Sequence, residues 1–209
     1  KQSKLPPETV KNLILGLESK PASIRVASAN ALSHVGPAAA PAIEALVKAI
    51  NDFYPKEIDP MKYHEAGSEM AYWRALTAIG EPAVVPVAAL FKHTNPIVRS
   101  YAAQTLGDIG TPSKAVVDKL KAALKDEYSD VSVEAACTLC RLDEGKGEAI
   151  DLVKRMMDAM GRSAQSAIEA IPRLGDAGKP LIPIACAKIS SDNVYARYGA
   201  VGVISTLDR

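Results

Sequence analysis

The chain has 209 residues, of which 23% are charged and 48% apolar, with a formal net charge of +1. That length suits one good-sized domain or a row of small repeated units, and the charge balance lacks the basic excess of a dedicated nucleic-acid binder. The longest apolar run, Ala83 to Phe91, is broken by Pro86 and falls short of the ~18–20 residues of a membrane-spanning helix. Aromatics are only 5% of the chain while 34 residues are alanine, a composition that favours closely packed helices. Three cysteines, Cys137, Cys140 and Cys186, exclude a disulfide framework. The opening KQSKLPPE has no signal-peptide core and no initiator Met, so a segment of a longer protein is expected.

Taken in chain order, a Pro-led helix with Val10, Leu13 and Leu17 on one face comes first. The segment Ile24 to Gly36 follows and recurs as Ser68 to Gly80, Val98 to Gly110, Val131 to Asp143, Ser163 to Gly175 and Ala196 to Asp208. Counting each segment's first residue as position 0, apolar or small residues fall at 0, 4, 5, 8 and 11, the one-face spacing of an amphipathic helix. Position 8 is Leu32, Leu76, Leu106, Leu139, Ile171 and Ile204, at intervals of 44, 30, 33, 32 and 33 residues. Gly36, Gly80, Gly110 and Gly175, with Asp143 in their place once, are expected to close five of these helices. Between them lie second-type helices with the apolar triplets Ile43/Leu46/Ile50, Val84/Val87/Phe91, Val117/Leu120/Leu124, Ala149/Leu152/Met156 and Ile182/Ala185/Ile189. Pro7, Pro41, Pro82 and Pro180 stand at or before their starts, where a missing N–H is harmless. The unit is a helical hairpin of about 30–33 residues that stacks on its neighbours.

The pattern Val-Arg-x-x-Ala-Ala-x-x-Leu-x-x-Ile-Gly with a Pro-led second helix resembles the HEAT repeat, in particular the short bacterial HEAT-like type also found in phycobilin lyases. Ile24-Arg25, Val98-Arg99 and the stretch from Gly36 to Ile43 carry the likeness most clearly. It covers the chain from about Pro7 to Asp208. The resemblance implies an all-α, right-handed α-α superhelix (an armadillo-type solenoid) of about six hairpins, continuous over 1–209. It also implies that the second-type helices line the concave side, and it says little about function.

The 44-residue interval contains about 11 extra residues, an insertion at about 52–66 that carries Phe53, Tyr54, Tyr63 and His64. The next helix adds Tyr72 and Trp73 at positions 4 and 5, where other copies carry mostly small residues. These rings either fill space opened by the loop or form a recognition patch, with Trp73 supporting the loop from below. Pro55 and Pro60 would restrict the loop, and trimming 53–63 is expected to weaken partner binding while sparing stability.

Other chemistry is sparse. His64-Glu65 is a single pair, whereas the HEAT-like deoxyhypusine hydroxylases that it resembles gather iron with several. Cys137 and Cys140 form a CxxC on a helix whose neighbouring positions are core, with no further ligands at workable spacing for zinc. Arg25, Arg99 and Arg197 recur at position 1; in the resembled family this Arg bonds to carboxylates and turn carbonyls, and a phosphate ladder as in HEAT-like DNA glycosylases is the alternative. Gly145-Lys146-Gly147 reads as a turn and not a phosphate loop. On the second-type helices Lys48, Asp52, His93, Lys119, Asp151, Lys154, Arg155 and Lys188 point away from the triplets, giving an expected shallow groove, basic towards its C-terminal half.

The sequence therefore predicts a non-catalytic scaffold that binds a protein or peptide, with no metal, cofactor, nucleic acid or membrane insertion. Its candidate binding residues are Phe53, Tyr54, Tyr63, His64, Trp73, Lys119, Lys154, Arg155 and Lys188. An accessory segment of a larger exported hydrolase such as a sulfatase, and a bilin lyase-like protein, are the alternatives. The last helix is expected to leave Val201, Val203 and Ile204 short of a neighbour, so end-to-end self-association is anticipated.

Overall fold

The computed structural model describes residues 7–54 and 69–207, so Tyr63, His64 and most of the insertion lie outside the described residues. Among the described residues every regular element is helical. The chain divides into two compact units, 1–111 and 112–209.

The first unit contains α1 (Pro7–Leu17), α2 (Ala22–Val35), α3 (Ile43–Phe53), α4 (Met70–Ile79), α5 (Val84–Ala89) and α6 (Pro96–Ile109). The second contains α7 (Lys114–Ala123), α8 (Ser129–Arg141), α9 (Lys146–Met157), α10 (Arg162–Ala170), α11 (Ile182–Ala187) and α12 (Val194–Leu207). Even-numbered helices are the six recurring segments, and odd-numbered ones are the second-type helices. In the first unit α2 packs along α4 and α4 against α6, while α1, α3 and α5 cover α2, α4 and α6 respectively. In the second unit α8, α10 and α12 form a row with α7, α9 and α11 beside them.

The core follows the repeat register. Position 8 is no more than 1% exposed at Leu32, Leu76, Leu106, Leu139 and Ile171. Each such side chain removes enough apolar surface from water to be worth about 1.5–3 kcal/mol. Of the second-type triplets, Leu46, Ile50, Val87, Leu120 and Ala149 are fully buried, but Ile189 is 42% exposed. In α9 the interior places go to Val153 and Met157, one residue beyond the expected set, and Met156 is only half-buried.

The expected helix stops are where positive φ is needed: Gly36, Gly80, Gly110, Gly175 and, as the one described non-Gly case, Asp143. Gly36 and Gly80 sit near φ 66–80° and ψ −138 to −139°, a region that a Cβ disfavours, and each N–H donates to the position-8 carbonyl, Leu32 O and Leu76 O. A proline follows closely in each case, which converts the entry to the next helix into a 3-10 segment: Gly36–Ala42 with Pro41, and Glu81–Ala83 with Pro82. Pro172 has the same effect on the fifth copy. It ends α10 at Ala170, and Ile171–Leu181 continues as 3-10 turns kinked at Gly175.

The position-1 arginines tie each helix to the turn before it. Arg25 Nη1 donates to Ser19 O (2.9 Å) and Lys20 O (2.6 Å). Arg99 Nη1 donates to His93 O (2.8 Å) and Thr94 O (3.0 Å), and Arg197 Nη1 to Ser191 O (2.6 Å) and Asp192 O (3.3 Å). One guanidinium thus satisfies two carbonyls in each turn, the structural role that the resemblance implied. The same turns cap their helices through asparagine, with Asn95 Oδ1 accepting from Ile97 N (2.9 Å) and Asn193 Oδ1 from Tyr195 N (3.1 Å).

Candidate functional site

In the first unit the end of α1, the outer side of α3 and single residues of α2 and α4 enclose a cleft of about 310 Å3. Its walls are Leu17, Glu18, Ser19 and Lys20 from the α1 end, Arg25 from α2, and Ala45, Lys48, Ala49, Asp52 and Phe53 from α3; Tyr72 closes it from α4. The small residues at 45 and 49 open the space, one helical turn apart on the same face of α3. Lys48 Nζ lies 3.5 Å from Glu18 Oε1 with both side chains more than half exposed, so the pair orders the rim and adds at most about 1 kcal/mol. Arg25 is held by its two carbonyl bonds, which fixes a cationic edge in the wall. Phe53 is half-buried, and its ring meets Tyr54 edge-on at 5.1 Å.

The aromatic cluster divides between wall and core. Tyr54 and Trp73 are 3% and 2% exposed, so of the two readings of these rings their burial favours the space-filling one. Both rings are core, and Trp73 stacks obliquely on Tyr101 of α6 at 5.7 Å. Burial pushes the Tyr101 hydroxyl's pKa up, and the neighbouring Glu69 carboxylate adds to the shift. The proposed trim of 53–63 would therefore remove a core ring, Tyr54, together with any recognition residues.

In the second unit the expected basic groove is only partly free. Lys154 and Arg155 are exposed on α9 and Lys119 is half-buried on α7. Lys188 is engaged by Asp158 at 2.5 Å, and Lys121 by Glu148 at 3.0 Å. With Glu18–Lys48, these are opposite charges about one repeat apart on successive second-type helices. That spacing is visible in the sequence and would have shown Lys48 and Lys188 to be pair-forming. Lys20 and Tyr72, which complete the cleft, carry no such signal, because only the packing of α1 and α4 against α2 and α3 brings them there.

Two of the three thiols are shielded by burial. Cys137 is fully buried and its pKa is pushed up to about 12 by loss of solvation, while burial also raises Cys140. Glu134, 6% exposed, is bonded by Arg173 Nη2 at 2.6 Å and so ties α8 to the segment after α10. Among the described residues no group of three or more His, Cys, Asp or Glu is placed to hold a metal ion. Nor is any single described helix long and apolar enough to cross a membrane.

The fold defines an all-α protein built from repeated helical hairpins. Its residues 85–172, from α5 to the end of α10, match the family model for HEAT repeats. No curated protein matches the chain in sequence. Among solved structures, an engineered protein determined by crystallography is 19% identical over 95% of this chain and 96% of its own, with a TM-score of 0.43. A second engineered protein is 19% identical over 95% of this chain and 57% of its own, at 0.42.

Proposed function

We propose that this chain is a non-catalytic interaction module that takes a side chain or short segment of a protein or peptide in the cleft between α1 and α3. The observation that carries this reading is the wall itself: a fixed guanidinium, two lysines and two carboxylates around the apolar surface of Phe53, Tyr72, Ala45 and Ala49. Such a mixture suits recognition, in which an apolar anchor is seated and charges at the rim set orientation. HEAT repeats generally serve as interaction scaffolds, in keeping with this role.

The test is a selection of binders from a displayed random-peptide library, followed by titration of the best synthetic peptide. Phe53→Ala and Lys48→Glu should each weaken binding at least tenfold, about 1.4 kcal/mol, with helix content retained. If Lys154→Glu with Arg155→Glu abolishes binding while the cleft variants leave it intact, the ligand surface is on α9 and the cleft is not the site.

A further inference from the structure

The charged groups around the cleft between α1 and α3 are not equivalent, and sorting them shows which ligand group the wall favours. The wall carries three cations, Lys20, Arg25 and Lys48, and two carboxylates, Glu18 and Asp52. Glu18 and Lys48 face each other at 3.5 Å and largely cancel. That leaves Arg25 and Lys20 against Asp52, a cationic surplus. Lys20 and Asp52 are exposed, where water and salt screen them; Arg25 is half-buried and screened less.

Arg25 is also the fixed group of the set. Its Nη1 donates to Ser19 O at 2.9 Å and to Lys20 O at 2.6 Å, which occupies one side of the guanidinium. Nη2 and Nε donate to no described residue, so the other edge of the fork keeps a pair of N–H groups side by side. A planar donor pair held in place matches the two oxygens of a carboxylate.

Tyr72 gives a second, independent observation. It stands at position 4, where the other copies carry Ser28, Ala102, Ala135, Ala167 and Ala200, and it is 2% exposed. Filling that space needs only the ring, which phenylalanine would supply equally. The Tyr72 hydroxyl makes no hydrogen bond to a described residue, yet unlike Trp73 Nε1 it is not sealed from solvent, and the opening that Tyr72 lines is this cleft. A buried phenol therefore offers the cleft a donor that the surrounding helices leave unused.

We propose that the cleft seats a carboxylate of the bound peptide, held by the open edge of Arg25 and by the Tyr72 hydroxyl, with an apolar neighbour in the peptide resting on Phe53. The proposal rests on the reading of the cleft as a peptide site and names the ligand group that the site selects. At about 310 Å3 the cleft is at the small end of ligand pockets, which suits one or two side chains and not a long segment. A cationic side chain would meet Arg25 and Lys20 with only Asp52 to balance them. The carboxylate can belong to an acidic side chain or to a peptide's C-terminus, two sources of one chemistry.

The test is nuclear magnetic resonance on the 15N-labelled full chain, following the Arg25 Nε–H and the backbone amides of Lys48 and Phe53. The probes are acetyl-Leu-Glu-Gly-amide, its Gln and Lys counterparts, and acetyl-Gly-Leu with a free C-terminal carboxylate. The Glu peptide should shift Arg25 Nε–H saturably with a Kd of about 1 mM, and the Gln peptide should bind about tenfold more weakly. Tyr72→Phe keeps the ring and the helix signal, and should weaken the Glu peptide by roughly three- to tenfold without changing the Gln peptide. Asp52→Asn, at an exposed position, should tighten binding of the Glu peptide. Binding of the free-carboxylate peptide in place of the Glu peptide supports the proposal with the chain end as the source. Equal binding of the Glu and Gln peptides, or tighter binding of the Lys peptide, overturns it; shifts at Phe53 and Lys48 in either case leave the cleft standing as a peptide site. No shift at Arg25 with any of the four peptides also overturns it, and the library selection then decides the reading of the cleft by itself.

Discussion

Gly80 offers the sharpest check on how the hairpins are built. Its φ of 80° and ψ of −139° place it where a Cβ strains the backbone, yet a Cβ built there would meet nothing within 4 Å. Gly80→Ala therefore isolates conformational strain from steric crowding. Strain of this kind costs about 1–3 kcal/mol, and the lower entropy of an unfolded alanine chain offsets about 0.4–1 of it. The expected net loss is about 1–2 kcal/mol, or roughly 2–8 °C in melting for a chain of this size. Gly147→Ala is the matched control: it is exposed, at the second residue of α9, and also meets nothing within 4 Å. There the substitution removes unfolded-state entropy without strain and should stabilise by up to about 1 kcal/mol. Gly110 lies at φ 74° and ψ 21°, the left-handed region that asparagine tolerates, so Gly110→Asn should cost less than Gly80→Asn. Urea unfolding followed by far-ultraviolet circular dichroism reads all four variants. A Gly80→Ala protein as stable as the parent would refute the reasoning, since no packing change is available to compensate.

Three further outcomes are expected. Thiol titration of the native chain at pH 8 should register Cys186 quickly and leave Cys137 and Cys140 unmodified until unfolding, because a pKa of about 12 leaves only ~10⁻⁴ of Cys137 as thiolate. The raised pKa of Cys137 lies above its unfolded value, so its contribution to stability is whole below about pH 8.5 and is lost as pH rises towards 12; denaturant midpoints should fall over that window, less steeply in Cys137→Ala. Arg173→Met leaves the Glu134 carboxylate buried without its cation and should cost about 1–3 kcal/mol, whereas adding Glu134→Leu should recover much of the loss in a double-mutant cycle.

The fold was legible because its signals are local and repeated. The position-8 residues, the glycine stops and the arginine-to-turn bonds all depend on spacings within about 13 residues, and repetition separates them from chance. Departures came where proline acts on the backbone or where a helix rotates slightly. Pro172 shortened α10, and α9 turned Val153 and Met157 inwards in place of Met156, a difference of one residue that periodicity of 3.6 cannot resolve over so short a helix.

The candidate site was harder to read because exposure is a property of neighbours and not of residue type. Tyr54 and Trp73 have the composition of recognition residues, and packing alone made them core; Phe53, adjacent in sequence, lines the cleft. The same logic runs the other way in the first and sixth copies. Val201 and Ile204 occupy positions that are core in every earlier copy, yet they face solvent, and Ala27 is exposed where its equivalents Ala71 and Gly199 are buried. A position in a repeat specifies a contact only when the adjoining hairpin is present. Surfaces in such a chain are therefore best identified by comparing exposure at equivalent positions.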